Sequence, residues 1–174
     1  MKKNYALISV LIFLIFSSFA KANNSIVYVD MDKVISVSKP GASLFKQLNE
    51  LNKENTLNFK KSEEKLKKLE LDIISKKNIL SEDEFKKKVK ILKSDVKKYN
   101  ENRKKIIDDF NKLKINSTNN LLKLVNPILT DYSEANSINL IMQKKNLIMG
   151  KKEFDITDEI INLVNKNIKE IDIK

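Results

Sequence analysis

The residues of this chain that could do chemistry are lysines and carboxylates. Lysine and arginine total 34 against 23 acids, and the formal net charge is +11. There is no Cys, His or Trp, so a thiol nucleophile, a His-based triad or a usual zinc or haem site cannot be built. The two glycines, Gly41 and Gly150, stand apart, which leaves no phosphate-cradling loop of the P-loop or dinucleotide type. Paired-carboxylate hydrolysis is formally open, yet no aromatic-lined strand and loop framework is present to hold such a pair. The chain therefore reads as non-enzymatic, with no catalytic, cofactor-binding or metal residues. What its charge can do is attract something acidic: nucleic acid, an anionic lipid surface or an acidic polypeptide.

The first residues bear on which of these partners is met. Lys2 and Lys3 precede the apolar run "ALISVLIFLIF", and "AKA" at Ala20 to Ala22 fits a small-x-small cleavage site, the pattern of a secretory signal peptide over residues 1–22. The run is about half the roughly 20 residues a membrane span needs, and no Cys is present for lipid attachment. The expectation is a protein exported to the periplasm, starting at Asn23, with no role in nucleic-acid binding. Loss of Lys2, Lys3 and Lys21 lowers the formal charge from +11 to +8.

These charges need elements to position them. Apolar residues at Leu44, Leu48, Leu51, Phe59, Leu66, Leu69, Ile73 and Leu80, then Phe85, Val89, Leu92, Val96, Tyr99, Ile106, Phe110 and Leu113, keep the three-and-four alternation of one helix stripe. Between the two sets, "SEDE" at Ser81 to Glu84 reads as a capping box that starts a new helix. The chain should turn back near Asn78 to Ser81 as an antiparallel hairpin whose first arm is about 55 Å long. In that register Ile73 meets Leu92, Leu66 meets Tyr99, Ser62 meets Arg103, and Asn55 meets Phe110, with Phe59 and Ile106 the apolar pair between them. The seam is thus thin for about two turns and bendable there.

Such a hairpin needs an anchor. Ile26, Val27, Tyr28 and Val29 read as one strand; "INLIMQ", with Ile138, Leu140 and Met142, reads as a second, and Leu147, Ile148 and Met149 as a third, the last two forming a β-hairpin. All are apolar on both faces, so both faces call for cover. A helix opening at Asp155, with its stripe at Ile156, Ile160, Leu163, Val164 and Ile168, covers one; a partner subunit covers the other. Pro127 should bend the second arm as it enters this body. Gly41 marks the matching start of the first arm, with Ser43 as N-cap. "NST" at Asn116 to Thr118 matches a glycosylation acceptor, but its helical setting favours coincidence. The division is a leader at 1–22, body at 23–43, hairpin at 44–135, and body again at 136–174 with two strands and a helix.

"IVYVDMDKVI", the Lys/Glu-rich hairpin and "INLIMQKKNLIMGKKEFDITDEIINLVNK", in this order, resemble the Skp/OmpH family of periplasmic chaperones. The resemblance implies an α+β, mostly α fold: a homotrimer with a small β-rich body and long helical tentacles around a cavity. It also implies ATP-independent holding of unfolded outer-membrane proteins. Between Leu44 and Ala135, 22 basic and 15 acidic residues leave +7, so most of the excess charge lies on the tentacles. Lys60, Lys61, Lys67, Lys68, Lys86, Lys87, Lys88, Lys97, Lys98, Lys104 and Lys105 are its candidate client-binding carriers. An anionic lipid or lipopolysaccharide surface is a second partner that this charge suits. A structural or adaptor coiled coil of the cell envelope is the alternative reading.

Overall fold

The computed structural model describes residues 25–173, so the leader expected at residues 1–22 lies outside the described residues. The elements run β1 (Ser25–Val29), α1 (Met31–Val37), α2 (Lys39–Ser75), α3 (Glu82–Ala135), β2 (Ile138–Gln143) and α4 (Thr157–Asn167), with two single 3-10 turns between β2 and α4. The long pair α2 and α3 forms the expected hairpin, and its reversal occupies residues 76 to 81. Ser81 opens α3 through the predicted capping box: the Glu84 amide donates to Ser81 Oγ at 3.4 Å, and the Ser81 amide donates to Glu84 Oε2 at 3.1 Å. Hydrogen bonds from Ser81, first from its side chain, hold the Glu84 carboxyl below its ordinary pKa. No described helix is long and apolar enough to cross a membrane.

The start of the first arm differs from the expectation. The N-cap is Ser38, whose Oγ accepts from the Gly41 amide, and Pro40 lies in the first turn of α2. Ser43 is already helical. The same Ser38 ends α1, its amide donating to Val34 O at 3.3 Å. With one residue shared between two helices, the backbones crowd. A Cβ on Gly41 would lie 1.7 Å from Ile35 O, so this position is closed to any other residue unless α1 moves.

The sheet also corrects the sequence reading. β1 pairs with β2 in parallel, with Val27 opposite Ile141 and Val29 opposite Gln143. Leu147, Ile148 and Met149 form no strand, and the expected β-hairpin is absent among the described residues. The physical reason lies in residues 144 to 146. Lys144–Asn146 is a 3-10 turn in which the Leu147 amide donates to Lys144 O, and Lys144 Nζ is drawn to Asp155 Oδ2 at 2.8 Å. The free side of β1 is then taken by Asp155, bridged to Tyr28, and the Ile156 amide donates to Tyr28 O at 3.0 Å.

The core lies where the hairpin meets these elements. Val27, Val29, Val34, Ile35, Leu44, Leu48, Leu121, Val125, Ile160 and Val164 are buried in one cluster drawn from β1 and all four helices. The predicted stripe of α4 faces it: Ile156, Ile160 and Val164 are buried, and Leu163 and Ile168 pack at its edge. Pro127 sits inside α3, which continues to Ala135. Asn136 caps it, and the next residue, Ser137, has a left-handed φ of 53°, a position at which glycine would be unstrained.

Candidate functional site

Two surfaces emerge from this framework. The first is the outside of the arm. Ten of the eleven lysines singled out by sequence are exposed; Lys88 is half-buried. Two are engaged within their own helix, Lys86 with Glu82 at 2.5 Å and Lys97 with Glu101 at 3.9 Å. Such exposed pairs contribute only a few tenths of a kcal/mol, so they do not take these side chains out of use.

Sequence reasoning missed the apolar residues between them. Leu57, Leu71, Ile74, Ile79, Ile91, Ile107 and Ile115 are all exposed on the arm. Their signal was present: apart from Ile79, which lies in the reversal, each falls out of phase with the seam, so no helix in the hairpin can cover it. The arm thus offers a mixture of mobile positive charge and isolated aliphatic side chains, a surface suited to many weak contacts with a flexible polypeptide.

Along the seam, the polar residues pair differently from the even count. Arg103 lies over the Phe59 ring, 5.4 Å from its centre, and Tyr99 donates to Glu63 Oε1 at 2.6 Å. Each partner is three residues nearer the body than the one expected opposite, Ser62 and Leu66. Ser62 instead donates to Asn58 O in its own helix. Desolvation, followed by the Glu63 carboxylate, raises the Tyr99 pKa and keeps its phenol protonated.

The second surface is the outer edge of the body. Val27, Tyr28 and Val29, three of the residues assigned to an oligomer body, are buried. Ile138, Met142 and Leu147 are half-buried. Ile26 and Leu140 are half exposed, while Ile148 and Met149 stand in solvent at 104% and 87% exposure. Beside them opens a cavity of about 530 Å³ lined by Ile26, Tyr28, Met142, Leu147, Met149, Gly150 and Phe154. Its floor is fixed by Tyr28, whose hydroxyl donates to Lys151 O at 3.1 Å. An exposed apolar set of this kind marks an interaction surface.

Behind that edge is a polar knot that sequence reading did not assign. Asp155 accepts from Lys144 through Oδ2 and from both the amide and the hydroxyl of Thr157 through Oδ1. Thr157 Oγ1 in turn accepts from the Asp30 amide at 2.9 Å. Burial alone would raise the Asp155 pKa, but the bonds from Lys144 and Thr157 outweigh it and hold the carboxyl below its ordinary value. The hydrogen bond from Lys144 to Asp155 correspondingly raises the Lys144 pKa. The knot ties "FDIT" to β1 and to the turn after β2. No group of acids that could hold a metal ion occurs among the described residues.

The family described as outer membrane protein (OmpH-like) matches residues 25–164, from β1 into the last turns of α4. This chain belongs to the OmpH-like family. No curated protein matches it. Among solved structures, it is similar to a candidate outer-membrane chaperone (OmpH-like) from Caulobacter crescentus. The TM-score is 0.80 at 11% identity, over 85% of this chain and 88% of that one. At that identity the likeness is one of fold: a mostly α chain with a long helical hairpin on a small body. The matched segment ends before the tail beyond Asn167, so the tail's contacts must be read from this chain alone.

Proposed function

We propose that this chain is an ATP-independent holding chaperone of the periplasm that binds unfolded outer-membrane proteins and keeps them from aggregating before membrane insertion. The observation that carries the reading is the arm surface, where exposed Leu and Ile residues alternate with lysines on an OmpH-like fold. An unfolded barrel protein presents alternating apolar segments that otherwise pair edge to edge. Scattered aliphatic contacts hold such segments weakly, and the positive field draws acidic clients in. Lys60, Lys61, Lys67, Lys68, Lys86, Lys87, Lys88, Lys97, Lys98, Lys104 and Lys105 supply that field.

The working form in this reading is a homotrimer. Ile26, Leu140, Ile148 and Met149 are the exposed part of the body edge and would be covered by sister chains, so that three arms enclose the client. Residues 1–22 direct export, and neither cofactor nor catalysis enters. The lysines would also bring the trimer to anionic lipid or lipopolysaccharide, a contact that salt weakens.

The test is light scattering on mature residues 23–174 mixed with an outer-membrane barrel protein diluted from urea. A soluble complex of three chains with one client is expected. A monodisperse protein that leaves the client to aggregate rules out the chaperone and favours an envelope adaptor.

A further inference from the structure

The chain does not stop where its last helix does. Beyond Asn167 the backbone becomes extended, with Ile168 at φ −108° and ψ 122°, and runs to the base of the arm. Ile168, Ile171 and Ile173 pack half-buried against the core, while Lys169, Glu170 and Asp172 stay exposed. One side chain of α2 grips this tail by its backbone. Gln47 Nε2 donates to Ile171 O at 2.8 Å, and Gln47 Oε1 accepts from the Ile173 amide at 3.2 Å. These are the two bonds a neighbouring β-strand would make, and they read main chain rather than sequence.

On the α3 side the tail is not closely seated. A cavity of about 700 Å³ separates it from Leu113, Asn116, Ser117, Asn119, Asn120 and Lys123. That wall is rich in carboxamides, which can both donate to and accept from a peptide backbone. The groove therefore combines a backbone clamp, apolar seats for alternate side chains, and spare width lined mainly by carboxamides, with Lys123 the charged residue on the α3 wall.

We infer that this groove is a binding site for extended polypeptide with apolar residues at alternate positions, and that the chain's own residues 168–173 occupy it until such a segment displaces them. The inference rests on the proposed holding function and assigns it a site at the base of the arm. The tail is the template for the occupant: Ile171 and Ile173 are two apart, as on one face of a strand, and a barrel strand repeats that spacing. Because the tail is tethered, it competes at an effective concentration of roughly millimolar. A free peptide at lower concentration is excluded. A client already held by the arms reaches a comparable local concentration and can take the groove.

The test uses the full mature chain and a fluorescein-labelled peptide of sequence IKEIDI, residues 168–173. Ile171→Asp combined with Ile173→Asp frees the tail and leaves the α2 and α3 walls of the groove unchanged, and far-UV circular dichroism checks that the fold is kept. The peptide should bind this variant at least about tenfold more tightly than wild type, and Gln47→Ala added to it should remove most of that gain through loss of the two backbone bonds. Equal binding to wild type and the freed variant, or a gain that survives Gln47→Ala, overturns the inference. Suppression of client aggregation by wild type, followed in parallel, separates the two ideas. Suppression without peptide binding removes the groove alone, and peptide binding without suppression removes the chaperone reading alone.

Discussion

At its base the hairpin buries Leu44, Leu48, Leu121 and Val125, whereas further out, from Leu51 to Asp72 on α2 and from Glu82 to Asn120 on α3, no residue is fully buried. The apolar spacing is similar in both regions, so periodicity does not account for the difference. The number of neighbouring layers does. At the base, α1, α4 and the sheet cover the sides of the helix pair that the seam leaves open. In the arm each helix has one partner, and its seam is mostly half-buried, with Ile73 near the tip, at 3% exposure, the exception. Rigidity here is a property of the third layer, and the arm is soft because it lacks one.

That contrast can be broken most severely by truncating the same residue type in both places. Leu121→Ala should lower stability by about 4 kcal/mol through cavity formation, and Leu92→Ala, in the half-buried seam, by about 1 kcal/mol. Urea unfolding followed by circular dichroism reads both. Equal costs would mean that the arm is as tightly packed as the base.

Next in size is Gly41→Ala. Its Cβ would overlap Ile35 O, so α1 must shift, at a cost of about 3 kcal/mol. Native-state hydrogen exchange should show the loss in α1 and the base of α2, with the tip of the arm unchanged.

A smaller effect sharpens the comparison by pH. The folded-state pKa of Asp155 is lowered, so its stabilisation is present above the unfolded-state value of about 3.8 and is lost as pH falls through the folded value. Asp155→Asn should therefore destabilise the body by about 1.5 kcal/mol at pH 7. The gap from wild type should close progressively below pH 4, as the wild-type carboxyl itself protonates. A gap that persists at pH 2 would mean that the carboxylate charge is not what holds the knot.

Smallest is Ser137→Gly. Relief of the left-handed strain at the end of α3 should raise stability by about 0.5 kcal/mol, seen as a rise in urea midpoint with no change in slope.

The legibility of the chain follows the same division. The hairpin was readable because its determinants are local: the stripe of α2 and α3 and the Ser81 to Glu84 box each act within a few residues. The pairing of β1 was not, since Ile138 to Gln143 and Leu147 to Met149 both read as strands, and the turn at Lys144 to Asn146 and the bridge from Asp155 to Tyr28 that leave the second out are tertiary features. Ser38 was passed over for Ser43 because the capping choice depends on how closely α1 approaches Gly41, a tertiary fact. The charged part of the candidate surface was visible as lysine runs. Its aliphatic part, Leu57, Leu71 and Ile74 among others, lay in the sequence as apolar residues outside the stripe and carried no assignment, because the stripe alone places the helices.

The parallel pairing of β1 with β2 also has a bearing on how the molecule forms. The two strands flank the hairpin in the sequence, and roughly 110 residues separate the paired positions. Closing an open loop of that size costs about 4 kcal/mol in its logarithmic term alone. The antiparallel arm removes most of that cost beforehand, because zipping α2 onto α3 from a tight reversal brings residues 39 and 135 to the same end. A chain interrupted before α3 is complete would hold β1 with no partner, an unpaired apolar edge of the kind that drives aggregation. The arm is thus the scaffold on which its own body closes.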